Sequence, residues 1–351
     1  MNLLSLAILS SNMKNLKQQL YKMLIIGFDG QDIMKNNTLI TQIENGLGGV
    51  ILFDQYMKDK TKNKNISNSE QLKKLTLSLQ SISANPLMIC IDQEGGRVAR
   101  LKQQNGFRVS KSAKTITSLS INEVIAEYES LALELQELGI NCNFAPLVDL
   151  GINKDSEIIY GLDRAYGEDA DTVVKYGEIF MDALDKHQII SVLKHFPGHG
   201  SAKGDSHEGF VDITQSWNEI ELSPYKRLIH KTNMIMSAHV FNGRLDEKYP
   251  ATLSHTINTK LLREHIGYDG VLITDDLQMS AIKEHYSKEE AIKLAINSGA
   301  DMLMYCNQLG DDDTDETIDM MEYLIKNGKI SINRIKEANM RIDKLFTGII
   351  T

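Results

Sequence analysis

The chain has 351 residues, 42% hydrophobic and 24% charged, which is enough for one large α/β barrel or two modest domains and too apolar for a disordered protein. Its 38 Lys and Arg against 47 Asp and Glu leave a net charge of -9, and no long basic stretch could track a phosphate backbone, so nucleic acid is not an expected partner. Cys90, Cys142 and Cys306 are widely spaced in apolar runs, giving neither a disulfide framework nor a zinc spacing and suiting a reducing compartment.

Residues 1–14 read as an N-terminal extension free to be disordered, and residues 15–351 as a single catalytic domain. Within the extension Leu3 to Leu9 is apolar, but no positive charge precedes it and it is short for a signal core. A cytoplasmic protein is therefore expected, with export left open. Nowhere do the ~18 consecutive apolar residues of a membrane span occur.

Short β-rich runs then recur along the chain: Met23 to Phe28, Gly49 to Phe53, Leu87 to Ile91, Cys142 to Val148, Ile189 to His195, Met234 to Val240, Gly270 to Thr274 and Asp301 to Tyr305. Between them lie helix-period segments such as Ile121 to Leu138, Asp171 to Lys186 and Lys288 to Ser298. Strands alternating with crossover helices at this length predict an α/β fold, a (β/α)8 TIM-type barrel in one domain. The glycine fingerprint of an open nucleotide-binding sheet is absent after the first strand. Asp59 to Glu70, polar and Lys/Asn-rich, and the acidic Gly310 to Glu316 read as surface loops.

A barrel of this kind builds its active site at the C-terminal ends of its strands, so polar residues just after apolar runs are the ones to inspect. They cluster there: Asp92-Gln93-Glu94-Gly95-Gly96-Arg97, Asp149, Lys194-His195, His239 and Asp275-Asp276. A lone Asp at such a place is more often a helix cap; so many strand ends together argue for chemistry. The densest stretch is Lys194-His195-Phe196-Pro197-Gly198-His199-Gly200, followed by Asp205-Ser206-His207. Its glycines allow a loop to fold over a ligand, and Asp205 lies close enough to His207 to orient an imidazole and stabilise its protonated form, an acid/base dyad. Asp275, delivered by a rigid strand, is placed as a glycosidic nucleophile must be, with Asp276 capping the next helix or holding a neighbouring loop. The histidines also invite a metal reading, but no spacing specific enough to name a metal is present and Lys194 would repel a cation. No cofactor is expected.

At these residues the sequence resembles glycoside hydrolase family 3, and within it the short bacterial β-N-acetylglucosaminidases (β-hexosaminidases) of peptidoglycan recycling. The likeness runs from Met23-Leu24-Ile25-Ile26-Gly27-Phe28 through Asp92-Gln93-Glu94-Gly95-Gly96-Arg97-Val98, Asn143-Phe144-Ala145-Pro146-Leu147-Val148-Asp149, the histidine motif, Ser237-Ala238-His239-Val240 and Thr274-Asp275-Asp276-Leu277 to Gly299-Ala300-Asp301. The resemblance implies Asp275 as nucleophile, His207 as acid/base with Asp205 as its partner, and Asp92, Arg100, Arg164, Lys194 and His195 as residues that hold the sugar. Arg164 is aligned by Ala165-Tyr166-Gly167, its own flank carrying one residue more than the family's usual Gly-x-Arg. The implied reaction is retaining release of non-reducing terminal N-acetylglucosamine through a covalent intermediate, with muropeptides as substrates and a monomer as the expected state. Because a neutral imidazole carries no negative charge to repel an anion, phosphorolysis is the alternative outcome. A sugar-binding protein on a retired enzyme scaffold is the reading from outside enzymology.

Overall fold

A computed structural model describes residues 14–205 and 209–347. Most of the expected extension, residues 1–13, lies outside the described residues, as does His207, whereas Lys14 already belongs to a helix over residues 14–22.

The eight apolar runs form the strands of a closed barrel: β1 (Leu24–Gly27), β2 (Gly49–Leu52), β3 (Met88–Ile91), β4 (Cys142–Asn143), β5 (Ile190–Phe196), β6 (Met234–Ser237), β7 (Val271–Asp276) and β8 (Met302–Tyr305). Each pairs in parallel with its sequence neighbours, and β1 closes the ring by pairing Leu24 with Leu303 of β8 and Ile25 with Gly49 of β2. Parallel strands covered on both faces need near-continuous apolar sequence, and β1, β2, β3 and β8 are buried at every position. The three cysteines are buried and unbridged, Cys90 and Cys142 lying opposite each other on β3 and β4.

The main helices are α1 (Asn37–Glu44), α2 (Ser69–Ile82), α3 (Ile121–Glu137), α4 (Ala170–Lys186), α5 (Ser223–Leu228), α6 (Lys288–Ser298), α7 (Thr314–Lys326) and α8 (Ile332–Thr347), with a π-helical segment at Thr256–His265. Local chemistry sets their ends. Capping boxes start α3 (Ser120 with Glu123) and α6 (Ser287 with Glu290), and Gly299, at φ 118°, turns the chain out of α6 into β8. Val124, Tyr128, Leu131 and Leu135 recur at helical spacing to form the buried face of α3, where Tyr128 meets Phe180 of α4 edge to face at 4.5 Å.

Among the departures from expectation, three have a clear physical reason. The run Cys142 to Val148 is regular strand only at Cys142 and Asn143: Phe144 N–H still donates to Ile91 O and Ala145 O accepts from Val192, but Pro146 has no N–H to donate, and the chain next meets β5 where Val148 N–H donates to Lys194 O. The polar stretch Asp59 to Glu70 is not all surface loop: Asn68 caps α2, which includes Glu70, and Lys64, Asn65 and Ile66 are buried. Asn65 bridges the backbones of Phe28, Gly30 and Phe53, and Lys64 reaches Asn307 O and Asp29, so this segment staples the loops after β1, β2 and β8 together. Finally, the acidic stretch Gly310 to Glu316 ends inside α7, where Asp313 caps the helix and Asp315 and Glu316 sit in its first turn, favourable to its dipole.

The opposite end of the barrel is locked by one carboxylate. Asp301, at the entry to β8 and fully buried, binds Arg263, Arg334 and Arg341 and also accepts the N–H of Leu272. Arg334 and Arg341 belong to α8, so this carboxylate ties the last helix to β7 and β8.

Candidate active site

The C-terminal mouth of the barrel opens into a cavity of about 760 Å³ whose lining includes Asp92, Arg100, Arg164, Lys194, His195, His199, Asp205, Asp275 and Asp276. Every site residue expected from the sequence is therefore gathered in one place except His207, which lies outside the described residues.

The run Asp92 to Arg100 shows how sequence makes geometry. After β3 the chain forms a tight antiparallel hairpin, Gln93–Gly95 against Val98–Ala99, turning at Gly96 and Arg97, with Gly95 and Gly96 at positive φ (108° and 59°). A Cβ on Gly95 would lie 2.1 Å from Lys111 O, so glycine is demanded by contact as well as by dihedral. The Gln93 side chain accepts the N–H groups of Arg100 (2.9 Å) and Leu101 (3.0 Å), bringing Arg100 back to Asp92, which it meets at 3.0 Å.

Lys194 stands at the centre. Only 3% exposed, its ammonium lies 3.0 Å from Asp92 and 2.7 Å from Glu94, and Glu94 in turn accepts both Nε and Nη2 of Arg164 at 2.8 Å, the fork-to-carboxylate geometry that fixes orientation. Burial by itself would raise both carboxyls, but the cations win: Lys194 with Arg100 holds Asp92 well below the usual carboxylate range, and Arg164 with Lys194 lowers Glu94 to about 2. Conversely, burial would lower Lys194, yet Asp92 and Glu94 raise it, so the ammonium stays charged. Arg100 lies 5.2 Å from the centre of the Phe53 ring, whose other cationic neighbour is Lys64 at 5.7 Å.

A second buried pair follows. His195 Nδ1 lies 2.7 Å from Asp149 Oδ2, and Asp149 also accepts the backbone N–H of His195 and of His199. Complete burial works against its ionisation, and the His195 ring opposes that strongly enough to hold Asp149 below its ordinary value. With its Nδ1 so engaged, the His195 ring is fixed in orientation as it lines the cavity. His199 packs edge-on to His195 at 5.7 Å; burial and the neighbouring imidazole lower it to about 4, so it is neutral at physiological pH.

Across the cavity, β7 runs further than expected, through Asp276, and carries Asp275 on the strand itself. Asp276 Oδ1 accepts the N–H of Gln278 (3.0 Å) and of Cys306 (3.2 Å), while its carbonyl accepts from His239 Nε2. It thus holds the end of β8 to β7, the loop-holding alternative of the two expected for it. Among the described residues no group of three or more His, Cys, Asp or Glu is arranged to hold a metal ion.

Comparison with known proteins gives the lineage. The glycosyl hydrolase family 3 N-terminal domain matches residues 15–345, nearly the whole chain. The chain belongs to glycoside hydrolase family 3. Among curated relatives, a β-hexosaminidase A from Pseudoalteromonas piscicida is 34% identical over 282 residues, covering 74% of this chain but only 45% of that protein. A β-hexosaminidase from Tolumonas auensis is 33% identical over 273 residues, covering 74% of this chain and 76% of the relative. Among solved structures, a family 3 β-N-acetylglucosaminidase from a Paenibacillus species superimposes with a TM-score of 0.84 at 30% identity, over 95% of this chain and 62% of that one. This family 3 chain thus spans less than half of one such relative and three quarters of another.

Two side chains that hold the site residues in place were not singled out from sequence. Glu94, the common partner of Lys194 and Arg164, carried a usable signal: in an extended segment residues two apart face the same way, so whatever Asp92 faces, Glu94 faces too. Asp149 was visible at a strand end, but its bond to His195 depends on two strands adjacent only in the fold.

Proposed function

We propose that this family 3 domain is a retaining β-N-acetylglucosaminidase that releases non-reducing terminal N-acetylglucosamine from small β-linked glycosides, with peptidoglycan-derived muropeptides as the natural class. In this reading Asp275 attacks the anomeric carbon, His207 protonates the departing oxygen and then deprotonates the incoming water, and Asp205 orients and charges the imidazole. Asp92, Arg100, Arg164, Lys194 and His195 hold the sugar. The observation that carries it is the convergence of Asp275, Asp205 and those five side chains on one cavity at the strand ends. The names of the relatives support the bond and sugar, and the residue-by-residue resemblance supports the roles.

The physical logic favours histidine here. An imidazole with an unperturbed pKa near ~6.5 can act as acid and then base without the burial a carboxyl would need. Asp92, Arg100, Lys194 and Arg164, paired with one another or with Glu94, line the cavity as charged groups fixed before substrate arrives.

Asp275→Ala is expected to abolish turnover, while His207→Ala should slow glycosides with poor leaving groups by about 10²-fold or more and dinitrophenyl glycosides far less. Equal losses on both substrates would remove His207 as proton donor. Product analysis with a defined disaccharide-peptide, with and without phosphate, distinguishes hydrolysis from phosphorolysis: glycosyl phosphate in place of free sugar would replace water as the acceptor.

A further inference from the structure

The segment 198–205 leads from β5 to Asp205, and two carboxylates on opposite sides hold its base. On one side Asp149 accepts the N–H of His199 at 2.8 Å. On the other Glu221, from the turn Glu219–Leu222 that precedes α5, accepts through one oxygen the N–H of Gly200 at 2.9 Å and of Ser201 at 3.2 Å. Three successive amides are thus aimed at buried acids. The fit is tight as well as polar: a Cβ on Gly198 would lie 2.6 Å from the Glu221 Cβ, and one on Gly200 would lie 1.9 Å from Leu150 O. The Trp217 indole adds a bond to Pro197 O at 3.1 Å.

Glu221 has no part in the mechanism proposed above, and it does not line the cavity. It is 1% exposed, and its second oxygen has no hydrogen-bond partner among the described residues. Burial, with the charge of Asp149 added, pushes this carboxyl up to about 7 against the N–H groups that it accepts. A carboxylate is a costly acceptor in such a place, where an amide oxygen could take the same two bonds. What the position does is geometric. Asp205 lies four residues beyond Ser201, a span of at most about 14 Å when extended, so the place of Ser201 limits where the acid/base pair can stand.

We propose that Glu221 is a positioning residue for proton transfer: by clamping the amides of Gly200 and Ser201 it sets the base of the segment that carries Asp205 and His207. This rests on the reading of those two residues as the acid/base pair. A displacement of the order of 1 Å there would spoil protonation of the leaving group while leaving the sugar contacts of Asp92, Arg100 and Lys194 in place.

The test compares kcat/KM for the methyl and dinitrophenyl N-acetyl-β-glucosaminides in wild type, Glu221→Asp, Glu221→Gln and His207→Ala, with rates referred to competent sites counted by the dinitrophenol burst. Glu221→Asp keeps the charge but draws the carboxylate back from both amides. It should lose about 10–10²-fold on the methyl glycoside and less than about fivefold on the dinitrophenyl one, which needs little acid assistance. Glu221→Gln keeps an oxygen within reach of both amides and should restore the wild-type ratio of the two substrates. Equal losses on both substrates for Glu221→Asp, no loss on either, or a Glu221→Gln as selective as Glu221→Asp would each overturn the proposal. A selective His207→Ala beside an unselective Glu221→Asp removes this inference alone. An unselective His207→Ala removes the acid/base reading and this inference with it.

Discussion

Replacing Lys194 by Met isolates the charge at the centre of the site. The substitution keeps the length of an unbranched side chain but leaves Asp92 and Glu94 facing each other without the ammonium 3.0 Å and 2.7 Å away. At an effective dielectric of about 20, each of those contacts is worth roughly 6 kcal/mol before desolvation is counted. Lys194 recovers its own desolvation cost on removal, and Arg100 and Arg164 still hold one carboxylate each, so the net loss in stability near neutral pH should be about 3–5 kcal/mol. The pH dependence has a definite sign. Both carboxyls are depressed in the fold, Glu94 to about 2, so their contribution is full above the unfolded values near ~4 and disappears as pH falls through the folded ones. In Lys194→Met that depression shrinks, and the acid-unfolding midpoint should move to higher pH. Urea titrations across pH 3–7, with kcat/KM profiles alongside, measure both effects. A variant within about 1 kcal/mol of wild type and an unmoved acid limb would refute the view that Lys194 is what keeps these carboxylates ionised.

Other substitutions probe separate parts of the molecule. Asp301→Ala leaves three guanidinium groups, two of them from α8, without their shared partner, and should cost about 3–5 kcal/mol in denaturant melts without changing the leaving-group preference; a loss under about 1 kcal/mol would show that α8 is held by packing alone. Gly200→Ala places a Cβ 1.9 Å from the backbone oxygen of Leu150, so it should impair both stability and turnover, whereas Gly106→Ala, in the left-handed region but with open space around it, should impair only stability. Asp276→Asn removes a carboxyl that burial raises to about 6, so wild type should lose stability relative to the variant as pH rises from about 4 to 6, by roughly 2–3 kcal/mol in all. A difference that stays flat across that range would place Asp276 in a better solvated setting.

The barrel was legible because parallel strands buried on both faces must be largely apolar, and short apolar runs recur at eight places from Met23 to Tyr305, uninterrupted in β1, β2, β3 and β8 apart from glycine and broken by polar residues mainly toward the C-terminal ends of the others. Asp92, Lys194 and Asp275 were legible because each directly follows or ends such a run. Burial of a polar segment was not. Lys64 and Asn65 sit in a stretch whose composition describes a solvated loop, and their side chains are satisfied by Asp29, by the carbonyls of Phe28, Gly30 and Asn307 and by the N–H of Phe53, partners from other loops of the fold. The role of Glu221 was hidden for the same reason: its partners, Gly200 and Ser201, lie some twenty residues away, and nothing in Asn218 to Leu222 distinguishes a buried acceptor from a charged first turn. Local pattern reveals which residues could do chemistry; the contacts that hold them in place are long-range.

Asp275 and Asp276 show how far adjacent positions can diverge. Successive side chains on a strand alternate in direction, so two neighbouring carboxyls that both border the cavity can meet different partners. Asp276 spends its Oδ1 on the N–H groups of Gln278 and Cys306, bonds that bind the ends of β7 and β8 to each other, and its desolvation favours the neutral acid around pH 6 and below. The nucleophile proposed above, its neighbour Asp275, needs the reverse: ionisation at working pH. The same strand therefore supplies a carboxyl that braces the barrel mouth and, one residue earlier, the one proposed to attack the sugar. Exchanging their roles would require the strand to rotate by one residue, which the ladder with β6 at Val271 to Thr274 forbids.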